Sequence, residues 1–235
     1  MQAASGSMEL IIAEMKEIPM SSRFMNVHTI PSGLIQTNAY LLTDASRKEA
    51  VLVDAPGEIW PKIKPLIESE GLILRELWIT HGHWDHTQGG AEVVRQTGAQ
   101  VIAHAADQLL IETPEVMEGF MGEKLGLEGI TVDQWVTGGQ TLTCLGSDVG
   151  VRHVPGHCPG NVMFVFEKEG IALVGDAIFA GSIGRTDLPG GSFEELATSI
   201  RSQIYTLSDA TKLYPGHGPF TAVGIEKQSN PHVPA

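Results

Sequence analysis

The segment His81-Gly-His83-Trp-Asp85-His86 places four metal-capable side chains directly after the apolar run Leu77-Trp-Ile-Thr80. In an extended chain, side chains alternate faces. His81, His83 and Asp85 then converge on one side, while His86 begins a turn and addresses a second ion. Imidazole nitrogens with a carboxylate suit a catalytic metal that keeps open coordination positions. A closed structural zinc normally recruits thiolates, yet Cys144 and Cys158 lie far from this segment and stand alone.

Further ligand candidates follow apolar runs that end in turns: His157 in Val-Pro-Gly-His157, Asp176 in Leu-Val-Gly-Asp176 and His217 in Tyr-Pro-Gly-His217. Each Pro-Gly pair forces a turn just before an imidazole, and Gly175 lets the chain approach an ion closely before the carboxylate. With the first cluster, the set comprises five histidines and two aspartates, more than one ion can use.

In order and context these residues resemble the signature of the metallo-β-lactamase superfamily, Thr-His-x-His-x-Asp-His followed by a lone His, a bridging Asp and a final His. The resemblance implies that His81, His83 and His157 hold one metal, that Asp85, His86 and His217 hold the second, and that Asp176 bridges them. It runs from about Phe24 to the C-terminus. The segments Gly175-Asp-Ala-Ile-Phe179 and Gly-Ser-Ile-Gly-Arg185-Thr-Asp187 look like those of the compact glyoxalase II-like hydrolases, and the persulfide dioxygenase branch carries a similar Gly-Arg-Thr-Asp. The implied fold is α/β (α+β), a four-layer αββα sandwich with the metal site at the edge between two mixed sheets. The implied cofactors are two divalent ions, zinc first, with iron or manganese also fitting.

Strand-like runs that could carry these groups cover residues 38–43, 50–54, 74–80, 100–104, 150–154, 161–167, 171–175 and 212–214. Helical spacing is clearest over 193–207, where Phe193, Leu196, Ala197, Ile200, Ile204 and Leu207 fall on one face and Ser192 with Glu195 forms a capping box. Helices also fit 65–70, 89–97 and 105–112, and 167–170 reads as a hairpin turn. Residues 1–7 read as a flexible leader and 8–235 as a single domain, for which 42% hydrophobic residues and 27 glycines suit a loop-rich α/β architecture.

Net charge is −13, with 15 basic residues among 235. Such a chain lacks the basic stripe of a nucleic-acid binder. No run reaches the length of a membrane span, and the N-terminus lacks the basic-then-apolar order of a secretion signal. The expectation is a cytoplasmic protein without nucleic-acid or membrane partners. Two ions still leave the site locally positive, so a small anionic substrate is attracted there.

Around the ligands, Asp54 ends a buried strand, a costly place for a lone carboxylate. It is read as the acceptor that fixes a ligand imidazole, against the alternative of a turn cap. Arg185 and Asp187 brace a Gly-rich loop, with contact to a substrate carboxylate as the alternative. Cys158 reads as a small buried thiol, His28, His104, His153 and His232 as structural or surface residues, and Trp60, Trp78, Trp84 and Trp135 as packing residues.

The chemistry expected of paired ions is hydrolysis by hydroxide formed near neutral pH, with Asp85 orienting the nucleophile and taking its proton. The resemblance implies a glutathione thioester substrate of the S-D-lactoylglutathione type, with an iron-dependent sulfur oxygenase using His81, His157 and Asp176 as the alternative. Full-length glyoxalase II enzymes carry a helical domain that forms part of the glutathione pocket, whereas 18 residues follow His217 here. Lys227, Arg185 or a homodimer could supply the missing wall.

Overall fold

The computed structural model describes residues 25–122 and 124–235. The leader expected over 1–7 lies outside the described residues. In chain order the elements are β1 (Met25–Ser32), β2 (Thr37–Asp44), β3 (Glu49–Val53), α1 (Ile59–Glu70), β4 (Ile73–Trp78), α2 (Trp84–Thr87), α3 (Gly90–Thr97) and β5 (Gln100–His104). A 3₁₀ turn (Ala105–Asp107), α4 (Gln108–Glu112) and α5 (Glu115–Met121) lead to β6 (Gln134–Val136). The second half comprises β7 (Thr141–Cys144), β8 (Ser147–His153), β9 (Val162–Phe166), β10 (Ile171–Gly175), β11 (Ile178–Phe179), β12 (Ser182–Ile183), α6 (Phe193–Ser199) with a π-helical continuation (Ile200–Ile204), β13 (Lys212–Pro215), β14 (Thr221–Ala222) and α7 (Val223–Ser229).

Two six-stranded sheets form, ordered β1-β2-β3-β4-β5-β6 and β14-β13-β10-β9-β8-β7, beside the small β11-β12 hairpin. Both are mixed. In the first, β1, β2 and β3 pair antiparallel and β3 through β6 parallel. In the second, only β10 and β13 pair parallel.

Strand alternation explains the layering. Along β3, Ala50 and Leu52 enter the core beneath α1 and α3, whereas Val51 and Val53 face the other sheet. Along β9, Val162, Phe164 and Phe166 join that intersheet core, while Met163 and Val165 pack with Leu196, Ile200 and Ile204 on the far side. Three apolar cores thus separate four layers, helices outside and sheets inside, in agreement with the αββα expectation. Trp78 and Phe164 meet in the middle core at 4.7 Å between ring centroids. Truncating either to Ala would cost about 3–5 kcal/mol.

Several local expectations are corrected. The strand read over 50–54 stops at Val53 because Asp54 turns into the left-handed region, φ 61°, which Asp tolerates better than most residues. The helix read over 193–207 is α-helical only to Ser199, and Phe193 is 45% exposed instead of facing the core. Of the capping box, Ser192 Oγ accepts from Glu195 N–H at 3.3 Å, but the backbone N–H of Ser192 goes to Gly156 O. The helix read from residue 65 begins at Ile59 and carries Pro65 inside it. Strand β1 escaped the sequence pattern because polar and apolar residues mix along it, and Pro31 is tolerated since β1 lies at the sheet edge. No helix among the described residues is long and apolar enough to cross a membrane.

Candidate metal centre

The two sheets are stitched together along one edge. Val162 N–H donates to Thr80 O (2.8 Å), and Asn38 N–H donates to Gly216 O (2.7 Å). Tyr40 Oη donates to Pro215 O (2.6 Å), and Asn38 Nδ2 donates to Pro215 O and Gly218 O. These bonds anchor the turns after β4 and β13, so chain ends from both sheets open onto one place.

All seven candidates meet there. His81, His83 and His157 present ligand-capable atoms within 4.8 Å of one another, as do His81, His86 and Asp176, and Asp85, His86 and His217. His157 Nε2 lies 2.9 Å from His83 Nδ1 and 3.2 Å from His81 Nε2. His217 Nε2 lies 3.2 Å from Asp85 Oδ2 and 3.4 Å from Asp176 Oδ2. The first segment does not stay extended, contrary to the expectation that Asp85 would converge with His81 and His83. After His83 the chain enters helix α2, which swings Asp85 away from His81 and His83 and groups it with His86 and His217.

The far sides of the rings are held by the protein. Asp54 Oδ2 accepts from His86 Nδ1–H at 2.7 Å, and the same carboxylate accepts from Thr80 N–H and Thr80 Oγ1, both at 2.8 Å. Asp54 thus stands hydrogen-bonded to the ring of a candidate ligand. His157 Nδ1–H donates to the backbone carbonyl of Arg185 at 2.8 Å, so Arg185 supports the site through its main chain. Its guanidinium forms a two-point pair with Asp187 at 2.7 and 2.8 Å.

With Nδ1 of both rings donating outward, it is Nε2 of each that faces the centre. His86 Nε2 and Asp176 Oδ1 are buried and have no hydrogen-bond partner, though they stand 3.4 Å apart. Unpaired buried nitrogen and oxygen of this kind are costly unless a cation completes them. The donor set therefore fits divalent metal.

Electrostatics divide the cluster. Burial, reinforced by neighbouring imidazoles, pushes His81 well below its ordinary pKa and His83 down to about 3. At His86 burial acts downward too, but Asp85, Asp176 and Asp54 outweigh it and hold the ring well above its ordinary value. Burial likewise opposes the rise at His217, which hydrogen bonds to Asp176 and Asp85 carry up to about 9. Burial disfavours ionisation of Asp85 and Asp176, yet His86 leads the interactions that hold both carboxyls below the usual range.

Two glycines explain the Pro-Gly-His turns. Gly156 adopts φ 120° and packs on the backbone of Leu196, whereas a Cβ on Gly216 would collide with Asp176 Oδ1 and the His86 ring. Gly175 serves a different approach from the one expected, since a Cβ there would lie 2.8 Å from Thr80 Oγ1.

The cluster floors a cavity of about 480 Å³ with an apolar wall that includes Ile35, Trp84, Leu110, Met117 and Phe179. Trp84, expected to pack, is half-buried and lines this cavity. Arg185 reaches its rim, but Lys227 is not among its lining residues and pairs with Asp209 at 2.6 Å. Cys158 is fully buried, and burial together with Asp107 pushes its thiol pKa up. His104 and His153 stack on each other outside the cluster, at 4.2 Å between centroids, and His28 bonds Thr43.

Two residues were not foreseen. Thr37 Oγ1 donates to Asp85 Oδ2 at 2.7 Å, and Asp107 accepts from backbone of both ligand loops. Neither has a sequence spacing that ties it to the ligands. Asp107 ending an apolar strand and turn was the one available signal, of the same kind that singled out Asp54.

The fold and the site agree with the relationships of the chain. It is 35% identical over 215 residues to hydroxyacylglutathione hydrolase GloC of Haemophilus influenzae, covering 89% of this chain and 98% of that one. Among solved structures, BLEG-1 B3 metallo-beta-lactamase superposes with a TM-score of 0.82 at 33% identity, covering 89% of this chain and all of that one. TTHA1623 in a di-iron-bound form gives 0.76 at 32% identity, over 87% and 99% of the two chains. Residues 32–217, which span the whole ligand cluster, match the model of one family. The chain belongs to the metallo-beta-lactamase superfamily.

Proposed function

We propose that this protein hydrolyses a small anionic thioester of glutathione, of the S-D-lactoylglutathione type, at a binuclear metal centre. His81, His83 and His157 would hold one ion and Asp85, His86 and His217 the other, with Asp176 between. The observation that carries the reading is that two three-residue ligand groups stand side by side on the floor of one cavity. A relative named hydroxyacylglutathione hydrolase, at 35% identity, supports the substrate class.

Divalent ions bound here supply a water acidified toward neutral pH and a Lewis-acidic contact for the thioester carbonyl. Zinc, iron and manganese all suit imidazole and carboxylate donors. The chain itself does the rest. Thr37 fixes the rotation of the Asp85 carboxylate through Oδ2, leaving Oδ1 to take the proton of the attacking water. Asp54 and the Arg185 carbonyl keep the His86 and His157 rings aimed. The thiolate that departs is a weak base and needs no protonating residue. Arg185, held through Nε and Nη2 by Asp187, would offer its remaining N–H groups to a substrate carboxylate.

The deciding experiment measures free thiol and dissolved oxygen together while metal-loaded protein acts on S-D-lactoylglutathione. Thiol release with no oxygen consumption is expected. Oxygen uptake with glutathione persulfide, and no thiol from the thioester, would overturn hydrolysis and favour a single iron on His81, His157 and Asp176.

A further inference from the structure

Asp107 closes the 3₁₀ turn after β5 and is 1% exposed. Its carboxylate accepts three hydrogen bonds. Gly82 N–H (2.8 Å) and Cys158 Sγ–H (3.1 Å) donate to Oδ2, and Gly160 N–H (2.6 Å) donates to Oδ1. Those donors belong to the two loops that carry one half of the ligand cluster, since Gly82 sits between His81 and His83 and Cys158 follows His157. Both loops press against the acid. A Cβ on Gly82 would come within 3.0 Å of Asp107 Cβ, and one on Gly160 within 2.5 Å of its carboxyl carbon.

We infer that Asp107 is a positioning residue that sets the spacing between the His81–His83 segment and His157, and through it the metal affinity of that half of the centre. The inference rests on the metal-centre reading above. A carboxylate offers acceptors on both oxygens, so it draws N–H groups from opposite loops to opposite edges of one small planar group. Their separation is then fixed by the width of that group. The 2.9 Å approach of His83 Nδ1 to His157 Nε2 is the distance this clamp controls. The other half is aimed by different residues: Asp54 holds His86, Thr37 holds Asp85, and Asn38 holds the turn before His217.

Asp107→Asn keeps the shape but turns an N–H₂ toward one loop's N–H. The test titrates metal-free protein with Co²⁺ against a chromophoric chelator and resolves the binding steps, His83→Ala identifying the step that belongs to His81, His83 and His157. A control is Glu226→Gln, because Glu226 is an equally buried carboxylate that accepts from Gly181 N–H, Thr221 Oγ1 and Asn230 Nδ2 and touches neither ligand loop.

The expected result for Asp107→Asn is a loss of about 10–100-fold at the identified step, with the other step changed less than about threefold, while Glu226→Gln leaves both steps in place. Unchanged binding in Asp107→Asn would overturn the inference. So would equal weakening in both variants, which would mean a general loosening of the fold. If Asp107→Asn does not fold, Cys158→Ala replaces it. A few-fold weakening of the same step, restored by Cys158→Ser because a hydroxyl still donates to Oδ2, supports the clamp. Identical binding in the wild type and both Cys158 variants overturns it. Wild-type protein that takes up no Co²⁺ would instead sink the metal-centre reading, before any variant is compared.

Discussion

Asp54 and His86 are joined by a 2.7 Å hydrogen bond between side chains that are both almost fully withdrawn from solvent. This contact ties the end of β3 to helix α2, and Ala55 N–H to His86 O (2.7 Å) doubles the connection. The left-handed turn at Asp54 aims the carboxylate back at the ring. Asp54→Asn keeps tolerance for that backbone and removes the ionised acceptor. Affinity of the Asp85, His86 and His217 group is expected to fall about 10–100-fold, read by chelator competition. An affinity equal to wild type would deny Asp54 its orienting role.

Metal content is the broadest check. Seven ligand-capable side chains in three overlapping groups predict saturation at two ions per chain in fully reconstituted protein. Elemental analysis that levels off at one would reject the binuclear arrangement.

Asp85→Asn should reduce turnover by about 10²-fold or more, because it removes both the charge and the proton acceptor. Thr37→Val tests the geometry separately. It leaves the charge and removes the 2.7 Å bond, so a smaller fall in kcat with the thioester KM little changed is expected. If Asp85→Asn kept wild-type turnover and full metal content, Asp85 would have no part in proton transfer.

Protons compete unequally for the two halves. In metal-free protein His217 is held up to about 9 and His86 well above its ordinary value, whereas His83 is held down to about 3. Ion uptake by the Asp85, His86 and His217 group must therefore displace protons at neutral pH, and its affinity should climb as pH rises from neutral through the His217 value of about 9. His81 and His83, both held down, should offer no such proton competition over that range. Stability of the metal-free protein moves the other way. A raised folded pKa at His217 gives a contribution present in full below 6.5 and lost as pH rises through about 9. Isothermal titration in buffers of different ionisation heat counts the protons released. Zero release at neutral pH would contradict the assignment.

Gly216→Ala should abolish or sharply weaken metal uptake without a comparable loss of folding, because its Cβ would enter the space between Asp176 Oδ1 and the His86 ring. Gly156→Ala, beside the other Pro-Gly-His histidine, should act on stability first, since it strains φ at 120° and meets the Leu196 backbone. Circular dichroism with metal analysis separates the two, and a metal-replete Gly216→Ala protein would contradict this packing.

Sequence alone was enough to choose the seven ligand candidates, because imidazole and carboxylate after apolar runs state their chemistry without reference to distance. The four layers were expected through the superfamily resemblance; the unbroken apolar runs Ala50–Val53 and Val162–Phe166 fit strands buried on both faces but do not state how the sheets stack. Even Asp54 was legible, as a carboxylate at the end of a buried strand must find a donor. What the chain could not disclose was any relation made across loops. Thr37 reaches Asp85 over 48 residues, and Asp107 reaches Gly82 and Gly160 over 25 and 53. The grouping of Asp85 with His86 rather than with His81 and His83 depends on one short helix whose four residues carry no periodicity to read. Local residue types set which groups can bind, but which of them face one another is decided by packing of the two sheets, where partners come from opposite ends of the chain.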